Sequence, residues 1–193
     1  MKSLFYAVIS VLLLSQTVAA DDKVVAEEFL KCKLDAVFAV LQTEDLQQEA
    51  KNKAVVDIVT PMFDFALMAK LCLGKKYWPD LTEENKVRFT DLFIKRLRTS
   101  YLDKLTIYTD EKVIYEPPVQ VKEKIHVPTY LVSKEKKISM LYKLYKSKHS
   151  WKIYDVEIQG VSIIRSYRAQ FTAILENGTM DDLLLKMEES VAN

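Results

Sequence analysis

The sequence predicts a single α+β domain in which several helices pack on one face of a curved, four-stranded antiparallel sheet. Apolar residues recur at helical spacing through the first half of the chain, and from Ile107 their spacing changes to two. No linker rich in Pro, Gly or Ser separates these parts, so we expect one domain over residues 21–193. Such a sheet and its helices would enclose a cone-shaped apolar pocket.

The first 20 residues have the features of a cleaved secretory signal. Lys2 is followed by an apolar stretch over residues 4–14 and by small residues that end at Ala20. This stretch is shorter than the roughly 20 residues of a membrane-spanning helix. We therefore expect cleavage after Ala20 and export of residues 21–193 without a membrane anchor.

Four helices are predicted before the sheet. Thr60 is the expected N-cap of the third, with Gly74 as its stop, and Thr82 is the expected N-cap of the fourth. The first three helices cover residues 26–41, 44–58 and 61–73. The stripes expected to be buried are Phe29, Cys32, Ala36 and Val40 in the first helix, Leu46, Ala50, Ala54 and Ile58 in the second, and Phe89, Leu92, Phe93, Leu97, Tyr101 and Leu105 in the fourth.

The sheet is predicted from four segments in which apolar and polar residues alternate. These segments cover residues 113–115, 121–132, 138–144 and 151–158. Their close spacing favours an antiparallel meander. An amphipathic helix with Ile163, Ile164, Tyr167, Phe171 and Leu175 on one face follows Gly160, and a short helix over residues 180–189 ends the chain.

The composition excludes several classes of function. The chain has 28 Lys and Arg against 27 Asp and Glu, so its charge does not favour a nucleic-acid partner. With three glycines it lacks a glycine-rich phosphate loop, and no spacing of His, Cys or carboxylates indicates a metal site. Cys32 and Cys72 either form a disulfide or act as small apolar residues in their helices.

Three segments resemble the MlaC family, the periplasmic phospholipid-binding components of the Mla (toluene-tolerance) ABC transport system. Residues 64–78 read DFALMAKLCLGKKYW, residues 151–162 read WKIYDVEIQGVS, and residues 167–175 read YRAQFTAIL. Departures are small: Ser166 stands where Asn is common, and Cys72 where the family has a small or apolar residue.

The resemblance implies a fold related to the NTF2-like cone, with lipid acyl chains held between sheet and helices. It also implies a monomeric periplasmic shuttle with phospholipid as cargo and no cofactor. Its expected partners are an inner-membrane ABC transporter with an MCE-domain subunit and an outer-membrane lipoprotein complex. A branch of the family is linked to hopanoid transport, so a hopanoid-type cargo stays open.

The candidate pocket residues are apolar and aromatic side chains from the predicted stripes. Methionines such as Met62 adapt to an irregular cargo, and aromatic rings offer broad faces. Arg165 and Arg168 are candidates for contact with a lipid phosphate. The expected lining comprises Phe65, Met68, Phe93, Leu97, Tyr101, Val113, Val127, Met140, Tyr142, Leu144, Val156, Ile164, Tyr167 and Phe171.

An enzymatic alternative follows from the same fold, because NTF2-like proteins include isomerases and dehydratases. In this hypothesis Asp155 or Asp64 would abstract a proton with the help of a tyrosine. Against it, neither His126 nor His149 belongs to a visible pair of base and orienting residue. We expect Asp155 to pair with Arg165 or Arg168 and hold the last long helix to the sheet, and Asp64 to favour a helix dipole.

Overall fold

The computed structural model describes residues 17–102, 112–133 and 136–192. These ranges contain six helices and six strands. The helices are α1 Thr17–Leu41, α2 Gln48–Val59, α3 Phe65–Tyr77, α4 Glu83–Leu97, α5 Ile163–Leu175 and α6 Met180–Ala192. The strands are β1 Lys112–Tyr115, β2 Val119–Val121, β3 Lys124–Val132, β4 Lys137–Lys146, β5 Trp151–Ile158 and β6 Val161–Ser162. The predicted α+β class is confirmed, and most of the predicted signal segment lies outside these ranges.

The sheet is antiparallel throughout, in the order β1-β3-β4-β5-β6, with β2 also paired to β3. The prediction of four strands was wrong because the sequence pattern did not indicate two tight hairpins. Val121 pairs with Lys124 around a two-residue turn in which Lys122 has φ 57°. Ile158 pairs with Val161 around Gln159 and Gly160, whose φ values of 51° and 78° suit a type I′ turn.

A β-bulge at Tyr154 changes which residues of β5 face the helices. Lys143 pairs with Asp155 but Leu144 pairs with Ile153, which leaves Tyr154 without a partner in the ladder. One extra residue reverses the alternation of faces. Ile153 and Val156 are therefore both buried on the side that the helices cover.

Helix α3 begins four residues later than predicted. Thr60 starts a 3₁₀ turn and donates its hydroxyl to the carbonyl of Val56, so it does not cap a helix. Asp64 caps α3 instead, accepting a hydrogen bond from the backbone N–H of Leu67 at 2.9 Å. The N–H of Asp64 binds the carbonyl of Ile153 at 2.9 Å, so the chain runs extended along β5 before the helix starts. The break at Gly74 is confirmed by its φ of 69°.

The buried faces of α1 and α2 differ from the predicted stripes. Ala26, Leu30, Val37 and Leu41 are the buried residues of α1, and Cys32 is exposed. Val55 and Val59 are buried in α2. Each helix carries apolar residues on more than one face, so the docking surface selects the buried stripe.

The stripes predicted for α4 and α5 are buried except at Tyr101 and Leu175, which are half-buried, and Leu105 lies outside the described residues. Thr82 caps α4 by accepting the N–H of Asn85 at 3.2 Å. Four rings of these helices form what we call the aromatic core, namely Phe89, Phe93, Tyr167 and Phe171. Ring centroids lie 5.4 Å apart for Phe89 and Phe171 and 5.4 Å apart for Phe93 and Tyr167. Helix α6 covers this region with Leu183, Leu184 and Met187.

Both cysteines are free thiols, Cys72 buried and Cys32 exposed. The Cys72 thiol lies 3.9 Å from the carbonyl of Ile164, between α3 and α5, and burial raises its pKa. Among the described helices, none combines the length and apolar character needed to cross a membrane.

Candidate functional site

An apolar cavity of about 280 Å³ lies between the sheet, helices α1 and α3, and the end of α4. Of the 22 lining residues in the described part of the chain, 17 are apolar; the other five are Arg98, Ser100, Tyr101, Thr129 and Tyr142. The apolar lining residues are Leu34, Val37, Phe38, Leu41, Val59, Met62, Phe63, Phe65, Met68, Leu97, Val113, Leu131, Ile138, Met140, Val156, Ile158 and Ile163.

Cross-strand pairing builds the sheet wall of the cavity in rows. Leu131 stands between Val113 and Ile138, and the next row places Met140 between Thr129 and Ile158. A third row pairs Tyr142 with Val156. Paired residues on one face of an antiparallel sheet have neighbouring side chains. The bulge at Tyr154 is what brings Val156 and Ile158 into these rows.

Helix α1 supplies the opposite wall through Leu34, Val37, Phe38 and Leu41, which recur at the spacing of one helix face. Near the start of α3, the rings of Phe63 and Phe65 stack with centroids 5.5 Å apart. These side chains present hydrocarbon alone to the cavity.

The polar groups in the wall are hydroxyls and one guanidinium. The hydroxyl of Tyr142 donates to the sulfur of Met140 at 3.6 Å, and burial raises the pKa of the phenol. Thr129 is also buried. Since neither of these groups ionises at neutral pH, the deep part of the cavity carries no formal charge, and the charge in its described wall belongs to Arg98.

The structure places eight of the fourteen predicted pocket residues in the cavity wall. They are Phe65, Met68, Leu97, Tyr101, Val113, Met140, Tyr142 and Val156. The other six are buried but do not line the cavity: Phe93, Val127, Leu144, Ile164, Tyr167 and Phe171. Three of these six belong to the aromatic core, where ring-to-ring packing leaves no open space.

Sequence reasoning missed α1 as a wall of the cavity. Leu34, Val37, Phe38 and Leu41 follow helical spacing, yet the stripe through Phe29, Cys32, Ala36 and Val40 was equally regular. The polar residues Arg98, Ser100 and Thr129 were also missed, because polar side chains in an apolar wall give no periodic signal.

Neither arginine proposed for a lipid phosphate lines the cavity. Arg165 donates to the carboxylate of Glu157 at 3.2 Å on the outer side of the sheet. Arg168 donates from Nε to the carbonyl of Leu71 at 2.9 Å. This carbonyl lies in the last turn before the break at Gly74. Arg168 therefore supplies a hydrogen-bond donor to a carbonyl that has no partner within its own helix.

Both candidate catalytic acids are committed to structural contacts outside the cavity. Asp155 accepts hydrogen bonds from Lys143 at 3.0 Å, the hydroxyl of Ser162 at 2.8 Å and the N–H of Ile164 at 3.2 Å. It therefore does hold α5 to the sheet, but through these groups and not through Arg165 or Arg168. Asp64 caps α3, as described above, and accepts the hydroxyl of Tyr145, which raises the pKa of that phenol to about 12.

The MlaC protein family matches residues 31–189 of this sequence. The chain belongs to the MlaC family. Within this family, it is 25% identical over 122 residues to the intermembrane phospholipid transport system binding protein MlaC of Haemophilus influenzae. That match covers 60% of this chain and 57% of the relative, so the chain spans little more than half of the relative's length.

A solved structure shares the fold of this MlaC-family chain. It is the phospholipid-binding protein from Ralstonia solanacearum in complex with a phospholipid, with a TM-score of 0.78 and 22% sequence identity. The match covers 86% of this chain and 97% of that one. The arrangement of helices around an antiparallel sheet is therefore shared over nearly the whole length of the solved protein.

Proposed function

We propose that the protein is a periplasmic carrier that binds the acyl chains of a phospholipid in the apolar cavity. The observation that carries this proposal is the wall itself, in which 17 of the 22 described residues are apolar and none of those in the deep part is charged. Burial of an acyl chain contributes about 0.8 kcal/mol per methylene, so binding needs no catalytic group. The binding-protein name of the Haemophilus relative and the lipid in the Ralstonia protein support the same class of cargo.

The cavity volume of about 280 Å³ lies just below the roughly 300–1,000 Å³ that ligand pockets occupy. A two-tailed lipid would therefore require the wall to move. Met62, Met68 and Met140 line the cavity and can change rotamer at little cost. Entry of lipid is thus proposed to widen the cavity at these methionines.

Filling the cavity tests the proposal. Ile138→Trp places a large ring among the lining residues and should reduce bound phospholipid to a small fraction of the wild-type amount, measured by native mass spectrometry. Ile114→Trp is the matched control, because Ile114 is 47% exposed and lies two strands away on the outer face. Equal lipid content in the two variants would contradict acyl-chain binding in this cavity.

The proposed route runs from an inner-membrane ABC transporter with an MCE-domain subunit to an outer-membrane lipoprotein complex, or in the opposite direction. Transfer of labelled phospholipid from the carrier to the purified MCE-domain protein tests this step. Export requires cleavage after Ala20, so the periplasmic protein should begin at Asp21 by N-terminal sequencing. Recovery of the uncleaved chain in the cytoplasm would contradict the route.

Two alternatives predict different contents of the cavity. A hopanoid-type carrier would retain a polycyclic lipid, which mass spectrometry of the same preparation distinguishes from a phospholipid. An isomerase or dehydratase would need an acid at the cavity, whereas Asp64 and Asp155 both lie outside its wall. This placement supports a carrier over an enzyme.

A further inference from the structure

Arg98 belongs to the part of the cavity wall that is exposed to solvent. Among the described lining residues it alone is exposed, and the others are buried or half-buried. The chain has five arginines, and the other four donate hydrogen bonds to protein groups. Arg98 has no carboxylate or other hydrogen-bond partner for its guanidinium in the described part of the chain. Its side chain combines exposure with a place in the cavity wall.

Two further donors lie beside Arg98 on the same turn. Residues Arg98–Leu102 form a π-helical turn, a geometry found often at functional sites, and Ser100 and Tyr101 also line the cavity. The hydroxyl of Tyr167 donates to Ser100 at 3.4 Å, which leaves the hydrogen of Ser100 free to donate elsewhere. Burial, and to a lesser degree Tyr167, raises the pKa of Tyr101, so this phenol keeps its hydrogen at neutral pH.

We propose that Arg98, Ser100 and Tyr101 form a collar that binds the phosphate diester of a phospholipid whose acyl chains fill the cavity. The collar rests on the proposed carrier function and specifies its ligand. A guanidinium binds phosphate through two parallel charge-assisted hydrogen bonds, and the two hydroxyls offer further donors. Acyl burial alone does not distinguish a phospholipid from a neutral lipid with the same tails, so the collar supplies that preference.

The test is a competition between two lipids that differ in the phosphate. The purified protein is equilibrated with equal amounts of dioleoylphosphatidylglycerol and dioleoylglycerol, and native mass spectrometry gives the ratio of the two bound lipids. The wild type should favour phosphatidylglycerol, and Arg98→Gln should lower the ratio at least about tenfold, as expected for a lost charge-assisted bond. Arg98→Lys should fall between them, because lysine keeps the charge but loses the paired geometry.

The matched control is Arg165→Gln, since Arg165 is exposed, pairs with Glu157 and does not line the cavity. The ratio is measured on folded, lipid-loaded molecules, so a lower yield of a variant does not change it. An unchanged ratio in Arg98→Gln, or an equal fall in Arg165→Gln, overturns the collar while the carrier function stands. Displacement of phosphatidylglycerol by inorganic phosphate also overturns the collar, because Arg98 would then be a site for free phosphate. A wild type that binds neither lipid overturns the carrier function as well.

Discussion

The aromatic core and the cavity wall are built from similar residues but differ in packing. In the aromatic core, Phe171 contacts Phe89 and Tyr167 with ring centroids 5.4 and 5.5 Å apart. In the cavity wall, Phe65 stacks on Phe63 and also borders the open space of the cavity. The first region holds α4, α5 and α6 together, and the second leaves room for a ligand. An apolar stripe in the sequence therefore predicts that its residues are shielded from water. It does not predict whether other protein residues or a ligand shield them.

The largest effect on stability is expected when a phenylalanine in each region is replaced by alanine. Phe171→Ala removes a ring that is 1% exposed and should lower the free energy of unfolding by about 3–5 kcal/mol. Phe65→Ala removes a half-buried ring that already borders a cavity, so its cost should be about 1–2 kcal/mol. Urea unfolding of both variants without lipid measures this difference. Equal costs would mean that the two regions are packed alike.

A smaller difference is expected for the two aspartates that join helices to the sheet. Asp155 is 5% exposed and binds three groups at the start of α5 and on β4. Asp155→Ala should cost about 3 kcal/mol, because it leaves buried donors without an acceptor. Asp64→Ala removes the cap of α3 and the bond from Tyr145, at about 1 kcal/mol. Thermal or urea unfolding that ranks Asp64→Ala as the more damaging change would reverse this assignment.

The smallest effect concerns the outer face of the sheet, on the side opposite the cavity. Burial and then the nearby charge of Lys143 lower the pKa of His126, which also lies 3.3 Å from the hydroxyl of Tyr154. The unfolded chain therefore binds this proton at a higher pH than the folded one. Stability contributed by neutral His126 is present above the unfolded pKa near 6.5 and is lost as pH falls through the lower folded value.

Comparison with His126→Gln isolates this effect from other titrating groups. The wild type should lose slightly more stability than the variant between pH 7.5 and pH 5.5, measured as the shift in the urea midpoint. The same loss in both proteins would show that His126 protonation is not coupled to folding. Bound lipid should leave this small difference unchanged, because His126 does not line the cavity.

Local sequence patterns predicted those parts of the fold in which a residue's structure depends on its neighbours in sequence. Thr82 and Gly74 mark a helix start and a helix break through groups within a few residues. The stripes of α4 and α5 were predicted because each helix has one continuous apolar face. The turns that separate β2 from β3 and β5 from β6 were not predicted, because Lys122 and Gln159 adopt positive φ without being glycine.

The sequence by itself determined the α+β class, the faces of α4 and α5, and eight residues that line the cavity. Tertiary structure decided which apolar faces meet protein and which meet open space. Val156 lines the cavity because a bulge at Tyr154 reverses the alternation of β5, and Arg98, Ser100 and Tyr101 line it from the π turn that follows α4. Hydrophobicity is non-directional, so it drives residues out of water without choosing their neighbours. That choice depends on register and packing between segments that are distant in sequence.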